Sequence, residues 1–183
     1  IFPIIAGMLI VNDDFVRFFL GKDFQDARYA IAIMIFRMFF IGWTNIMGIQ
    51  ILIPHDKNKE FMLSTTIPAI VSVGLNVLFL PHFGFIGAAI VSVLTESLVW
   101  LIQLYYTRHY LKEVPIIGSM TKIMFASAVM YGLLLLIKPF LHFTPTLNVL
   151  VYAVLGGIIY LIAILSLRVV DVKELKQQFL NKQ

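Results

Sequence analysis

Long apolar runs separated by short polar punctuation organise this chain. Residues 38–54, 61–80 and 147–167 carry no charge, 85–107 is interrupted only by Glu96, and about 121–141 holds Lys138 near its end. Crossing ~30 Å of hydrocarbon takes about 20 residues of helix. The pattern therefore predicts a partial span over 1–12 and five full spans at about 28–54, 61–80, 85–107, 121–141 and 147–167. Between them lie Asp13 and Asp14 with a short apolar piece up to Gly21, a polar turn from His55 to Glu60, and a tight turn at Pro81-His82-Phe83-Gly84. A longer connection over 108–122 contains Arg108, Lys112, Glu113, Pro115, Gly118 and Lys122. Helices satisfy their own backbone groups in lipid, and the alternation of a β-barrel is absent. The expected fold is an all-α integral membrane protein, a polytopic transmembrane helix bundle over 1–167 with a tail at 168–183. In the tail Val172, Leu175, Phe179 and Leu180 recur at helical spacing. That fits either a short amphipathic helix on the inner leaflet or a solvated end.

Composition agrees. Of 183 residues 60% are hydrophobic and 13% charged, against about 45–50% and about 25% in soluble domains; the mean hydropathy is +0.93. Too few polar residues remain to cover a solvated exterior. The net charge of +4 comes from residues lying between apolar runs, not on one stripe, so it sets topology and does not point to nucleic acid. With no cysteine, thiolate chemistry and cysteine-ligated metals are excluded. The start at Ile-Phe-Pro, without Met or a basic flank, leads us to expect a chain that begins partway through a larger protein.

The basic residues alternate from one connection to the next. Lys57 and Lys59, then Arg108, Lys112 and Lys122, then Arg168, Lys173, Lys176 and Lys182 fall on one side, and Lys138 on the other. The positive-inside rule makes the C-terminus cytoplasmic. The first connection, with Arg17, Lys22 and Arg28, is a mild misfit to that orientation.

Polar groups inside the spans carry whatever chemistry there is, since they are costly there. On a regular helix Arg37 shares a face with Ile41, Thr44 and Gly48, with Asn45 at its edge; Thr65, Pro68, Ser72 and Asn76 form a stripe on the next span. Glu96 has Ala89, Ser92, Trp100 and Gln103 on its side. Such stripes suit a hydrated cavity, and equally suit close helix packing. Arg37 has three open readings: a cavity cation, an anchor reaching the outer interface, or the partner of Glu96. Pro68 is expected to kink its helix. Gly132, Gly156 and Gly157 are expected at close contacts, and the Trp and Tyr residues at lipid or interface positions. His55, His82, His109 and His142 are never paired at ligand spacing, and no Gly-rich phosphate loop, Ser-His-Asp set or HExxH occurs; no cofactor is expected.

Three stretches together resemble a family. They are Phe18-Phe19-Leu20-Gly21-Lys22-Asp23-Phe24, Gln50-Ile51-Leu52-Ile53-Pro54 with Lys57-Asn58-Lys59, and Asn76 through Ala89 (NVLFLPHFGFIGAA) followed by Thr95-Glu96. Their order and spacing are similar to the C-terminal half of bacterial polysaccharide flippases of the O-antigen or capsule (Wzx) type, in the multidrug/oligosaccharidyl-lipid/polysaccharide exporter superfamily. The resemblance implies two similar lobes around a central cavity, of which this chain is one, with the spans being the end of the seventh helix and the eighth to twelfth. It implies a polyprenyl-pyrophosphate-linked oligosaccharide, flipped across the bacterial cytoplasmic membrane by alternating access for surface polysaccharide biosynthesis. The implied partners are that substrate, membrane lipids and the missing N-terminal lobe. The expected substrate-binding residues are Arg37, Thr44, Asn45, Ser72, Asn76, Glu96 and Gln103. Arg37 is carried over because these cavities are typically cationic, and a guanidinium grips a pyrophosphate with paired hydrogen bonds.

Two other classes stay open. A multidrug antiporter of the same superfamily needs acidic cavity groups, of which Glu96 is the only one within a full span. A membrane enzyme of polysaccharide assembly needs catalytic groups presented in large external loops, which this pattern lacks.

Overall fold

The computed structural model describes residues 1–111, 116–140 and 144–167, excepting the side chains of Lys22 and 116–119. The amphipathic reading of the tail, Lys112 to Pro115 and His142 lie outside the described residues. Those described form helices with short turns between them, and no strand. The five α-helices are α1 (Phe2–Phe19), α2 (Ala27–Thr44), α3 (Asn58–Leu111), α4 (Ile116–Ile137) and α5 (Pro145–Ser166). Among the described residues, four helical segments are long and apolar enough to cross a membrane: Ala27–Leu52, Asn58–Leu111, Met120–Phe140 and Pro145–Ser166. The chain divides into two compact units, one of Asn12–Val114 with Ile1 and one of Phe2–Val11 with Pro115–Gln183.

In the first unit, α2 does not continue as an α-helix. Thr44 Oγ1 and Asn45 Nδ2 both donate to the carbonyl of Ile41, at 3.1 and 2.8 Å. They compete with the helix ladder for that oxygen. From Asn45 to Leu52 the backbone is a π-helix, and wide bonds such as Ile53 N–H to the Gly48 carbonyl (3.1 Å) follow. Gly48 allows the wider turn to lie against α3, since a Cβ there would meet the Phe61 ring at 2.7 Å and Gln103 Nε2 at 3.0 Å. Gly48 is thus buried and faces α3, as Arg37 does through Glu96. A turn with Asp56 at positive φ (57°) then leads into α3.

α3 is 54 residues long. A straight helix of that length would run ~80 Å, well over twice the hydrocarbon thickness. It breaks at Gly84 (φ 54°, ψ −138°), a conformation that suits glycine and little else. The expected turn over 81–84 is therefore a break at one residue, giving arms 58–83 and 85–111. Pro68 and Pro81 keep helical dihedrals, so neither is the site of the break. The unit's core combines apolar Val16, Ile35, Met47, Leu52, Ala89 and Val91 with polar Ser64, Gln103 and Thr107, all nearly inaccessible. Trp100 packs against Phe39 and Phe40, at ring-centroid distances of 6.5 and 5.8 Å, and its Nε1 is buried, which corrects the interface reading for this residue.

In the second unit Ala6, Ile10 and Val11 of α1 pack with Met130 and Leu134 of α4 and Tyr152 of α5. Tyr152 is a core residue at 3% exposure, not an interface one. Gly156 lies where a Cβ would meet Leu134 at 3.3 Å and Met130 at 3.6 Å, whereas Gly132 and Gly157 have nothing near them, so only one of the three expected close contacts forms. Thr144, extended (ψ 151°), caps α5, and Pro145 occupies its first turn, where a preset φ and a missing N–H cost nothing. Lys138 does not simply reach for the interface: its Nζ donates to the Ile10 carbonyl at 3.0 Å.

Three expected boundaries move. α1 continues through Asp13 and Asp14 to Phe19, with Asp13 3.7 Å from Arg28 and Asn12 Nδ2 donating to the Arg28 carbonyl at 2.8 Å. α3 runs on to Leu111 and α4 begins at Ile116, so the connection expected over 108–122 narrows to 112–115.

Candidate functional site

The first unit brings together residues far apart in sequence. Arg37 of α2 reaches Glu96 on the second arm of α3, with Nη2 at 2.7 Å and Nε at 3.3 Å from the same Oε1. The Arg37 side chain is 35% and the Glu96 side chain 18% exposed. Each neutralises the other, so neither ion stands alone among apolar helices. The pairing reading of Arg37 is thus the one the geometry realises.

Beside this pair lies a cleft of about 350 Å³ formed by α2 and its π-helical continuation with both arms of α3. Its polar lining comes from Thr44, Asn45, Thr65, Thr95, Glu96 and Gln103, and its apolar lining includes Phe61 and Val99. Of the expected site residues, Thr44, Asn45, Glu96 and Gln103 line the cleft. Arg37 does not line it and meets it through Glu96. Ser72 and Asn76 lie further along the first arm, bonded to each other, with Asn76 Nδ2 2.9 Å from the Ser72 carbonyl and 3.4 Å from its Oγ.

Thr65 and Thr95 join the set although they were not among the expected site residues, and so does Ser64. Ser64 Oγ donates to the Phe61 carbonyl at 2.7 Å and accepts from Gln103 Nε2 at 3.2 Å. Their placement in apolar helices was visible in the sequence; their convergence depends on how the two arms lie about Gly84. Gln103 is 1% exposed, and its Oε1 has no hydrogen-bond partner among the described residues.

The histidines do not converge. His55 Nδ1 lies 2.7 Å from the Ile51 carbonyl and its ring lies against Tyr110, at 4.2 Å between centroids, while His82 Nδ1 lies 3.0 Å from the Leu78 carbonyl. No group of three or more potential metal ligands occurs among the described residues.

No protein-family model and no solved structure matches the chain. A curated protein of Escherichia coli (strain K12), named "Putative O-antigen transporter", is 30% identical over 94 residues, 51% of this chain and 23% of the relative. The match thus spans about a quarter of that protein's length. The apolar helices and this likeness mark the chain as a multi-pass membrane protein, similar over half its length to a protein named as an O-antigen transporter.

Proposed function

We propose that the chain is one lobe of a transporter that flips a polyprenyl-pyrophosphate-linked oligosaccharide across the bacterial cytoplasmic membrane by alternating access. In this reading each arm of α3 crosses once, giving five full spans and the end of a sixth, with the C-terminus cytoplasmic. The absent N-terminal lobe closes the other side of the cavity. The likeness to an O-antigen transporter supports the substrate class. The observation that carries the reading is the Arg37–Glu96 pair beside a polar cleft in otherwise apolar helices. Arg37 lies ~15 Å along its helix from Ala27 and Glu96 ~18 Å from Gly84, so both sit near mid-membrane.

The pair keeps the empty site neutral. An arriving pyrophosphate competes with Glu96 for the guanidinium, which offers it a planar fork, while the sugar occupies the cleft and the polyprenyl tail stays in lipid. Ser72 and Asn76 lie in the outer half of the first arm and line the path once the lobes rock.

The test uses the full-length protein and surface polysaccharide as readout. Arg37→Ala is expected to abolish export with protein level unchanged, and Arg37→Lys to retain part of it. The Arg37→Ala/Glu96→Ala double variant is expected to stay inactive. Its recovery would reduce Arg37 to a partner of Glu96 and remove the pyrophosphate role.

A second reading, a multidrug antiporter, is favoured by one observation: Glu96 lines the cleft and Arg37 stands behind it. Export of an organic cation dye that is lost in Glu96→Gln, with polysaccharide export intact, would select it.

A further inference from the structure

We propose that the cleft reads hydrogen-bond donors, the hydroxyl groups of the carried sugar, and that Gln103 Oε1 is a specificity-determining atom within it. This rests on the flippase reading above and assigns the cleft's part in it.

Thr44 Oγ1 donates to the Ile41 carbonyl, Thr65 Oγ1 to that of Met62 at 3.0 Å and Thr95 Oγ1 to that of Val91 at 2.7 Å. Asn45 Nδ2 gives one of its two protons to the Ile41 carbonyl and keeps the other. The lining hydroxyls have thus spent their single protons on their own helices and still offer lone pairs, so the lining keeps more acceptors than donors. Glu96 is an acceptor when ionised, and both hydrogen bonds from Arg37 go to its Oε1, leaving Oε2 unengaged by the guanidinium.

Gln103 completes the pattern, and its orientation follows from its neighbour. Ser64 has already given its proton to the Phe61 carbonyl, so toward Gln103 it can only accept. The amide must therefore present Nε2 to Ser64, as observed, and a flipped amide would set two acceptors against each other. Oε1 is left as a buried acceptor without a partner among the described residues, a costly state that a donor relieves once the side chain or the arms shift enough to open it to the cleft. Glu96 and Gln103 stand two turns apart on one arm, ~10 Å, and the Phe61 ring supplies an apolar wall between polar positions.

An acceptor-rich cleft repels a phosphate and suits a polyhydroxyl group. The division of labour is then spatial: pyrophosphate at Arg37, sugar in the cleft.

The experiment measures binding to the purified full-length protein of two probes, a short-chain prenyl pyrophosphate and the same compound carrying one N-acetylhexosamine. The wild type is expected to prefer the sugar-bearing probe. Gln103→Met is expected to weaken that probe about three- to tenfold, the scale of one hydrogen bond, and to leave the sugar-free probe unchanged.

Equal affinities of wild type and Gln103→Met for the sugar-bearing probe would leave the oxygen to water and overturn the inference. So would parallel loss of both probes, which marks a structural role. Binding that requires sodium over choline, and loses that requirement in Gln103→Met, would assign the oxygen to a metal cation and overturn it too. Failure of the wild type to bind either probe would overturn the flippase reading itself, and this inference with it.

Discussion

The two units both contain helices apolar enough to cross a membrane and differ inside. Where α1 meets α4 and α5, the interior is Ala, Ile, Val, Met, Leu and one Tyr, and the groove between α4 and α5, about 360 Å³, is lined by Phe125, Val129, Leu133, Ile159, Ile162 and other residues of which only Ser166 is polar. Where α2 meets the arms of α3, a cleft of nearly the same size is lined by Thr44, Asn45, Thr65, Thr95, Glu96 and Gln103. Hydropathy along the chain registers both pairs as membrane-crossing and does not separate them. The difference lies in what the helices turn toward each other. The first is lined almost entirely by small and apolar side chains that fit closely, as between helices in lipid. The second turns polar groups inward, an arrangement that suits a hydrated cavity as well as helix packing.

That contrast can be broken most sharply at the glycines. Gly48 in the cleft unit has the Phe61 ring and Gln103 where its Cβ would be, while Gly132 in the packing unit has open space. Gly48→Ala is expected to lower stability by about 1–3 kcal/mol through overpacking. Gly132→Ala is expected to be neutral or to stabilise by up to ~1 kcal/mol, as glycine gives way to a better helix former. Thermal unfolding in detergent compares them directly, and equal effects would erase the distinction.

Lys138 is the exception within the packing unit, bonded to the Ile10 carbonyl. Lys138→Met should cost about 1 kcal/mol in the same assay. It should not alter polysaccharide export when protein level is matched, since that unit carries no site in this account.

The smallest effect belongs to Glu60, in the first turn of α3 and ahead of its apolar run. A hydrogen bond from its own backbone N–H, then Lys57 (3.2 Å away), holds its carboxyl below the ordinary value. A depressed carboxyl stabilises the fold above its unfolded pKa, and that contribution is lost as pH falls through the lowered one. Glu60→Gln should therefore be slightly less stable than wild type at neutral pH. The gap should close on acidification through the carboxylate range, as pH-dependent melting curves would show.

The membrane-crossing helices were legible because uncharged runs near twenty residues admit few alternatives in lipid, although two of the expected spans lie within one 54-residue helix. Boundaries were less so. Asp13 and Asp14 do not end α1, because charges tolerated at a helix end leave the backbone ladder intact, and one glycine at position 84 does the work expected of a four-residue turn. The site was half legible. Face arithmetic put Arg37 with Thr44 and Glu96 with Gln103, and the Arg37–Glu96 pairing was one of the readings left open. It did not foresee the π-helix from Asn45 to Leu52, which changes the number of residues per turn. It missed Ser64 and Thr65 beside Gln103, because their meeting depends on a long-range fold at Gly84 that no local period encodes.

The central claim is that the cleft between α2 and α3 is a water-accessible substrate site and the groove between α4 and α5 is not. This chain has no cysteine of its own, so single thiols report cleanly. In the full-length protein, with any other cysteine replaced, cysteines placed at Thr65 or Thr95 should react with a membrane-impermeant thiol reagent. A cysteine at Val129 should not, and the cleft reactions should slow when lipid-linked oligosaccharide is added. Equal reactivity at Thr95 and Val129, or cleft labelling indifferent to that substrate, would contradict the account.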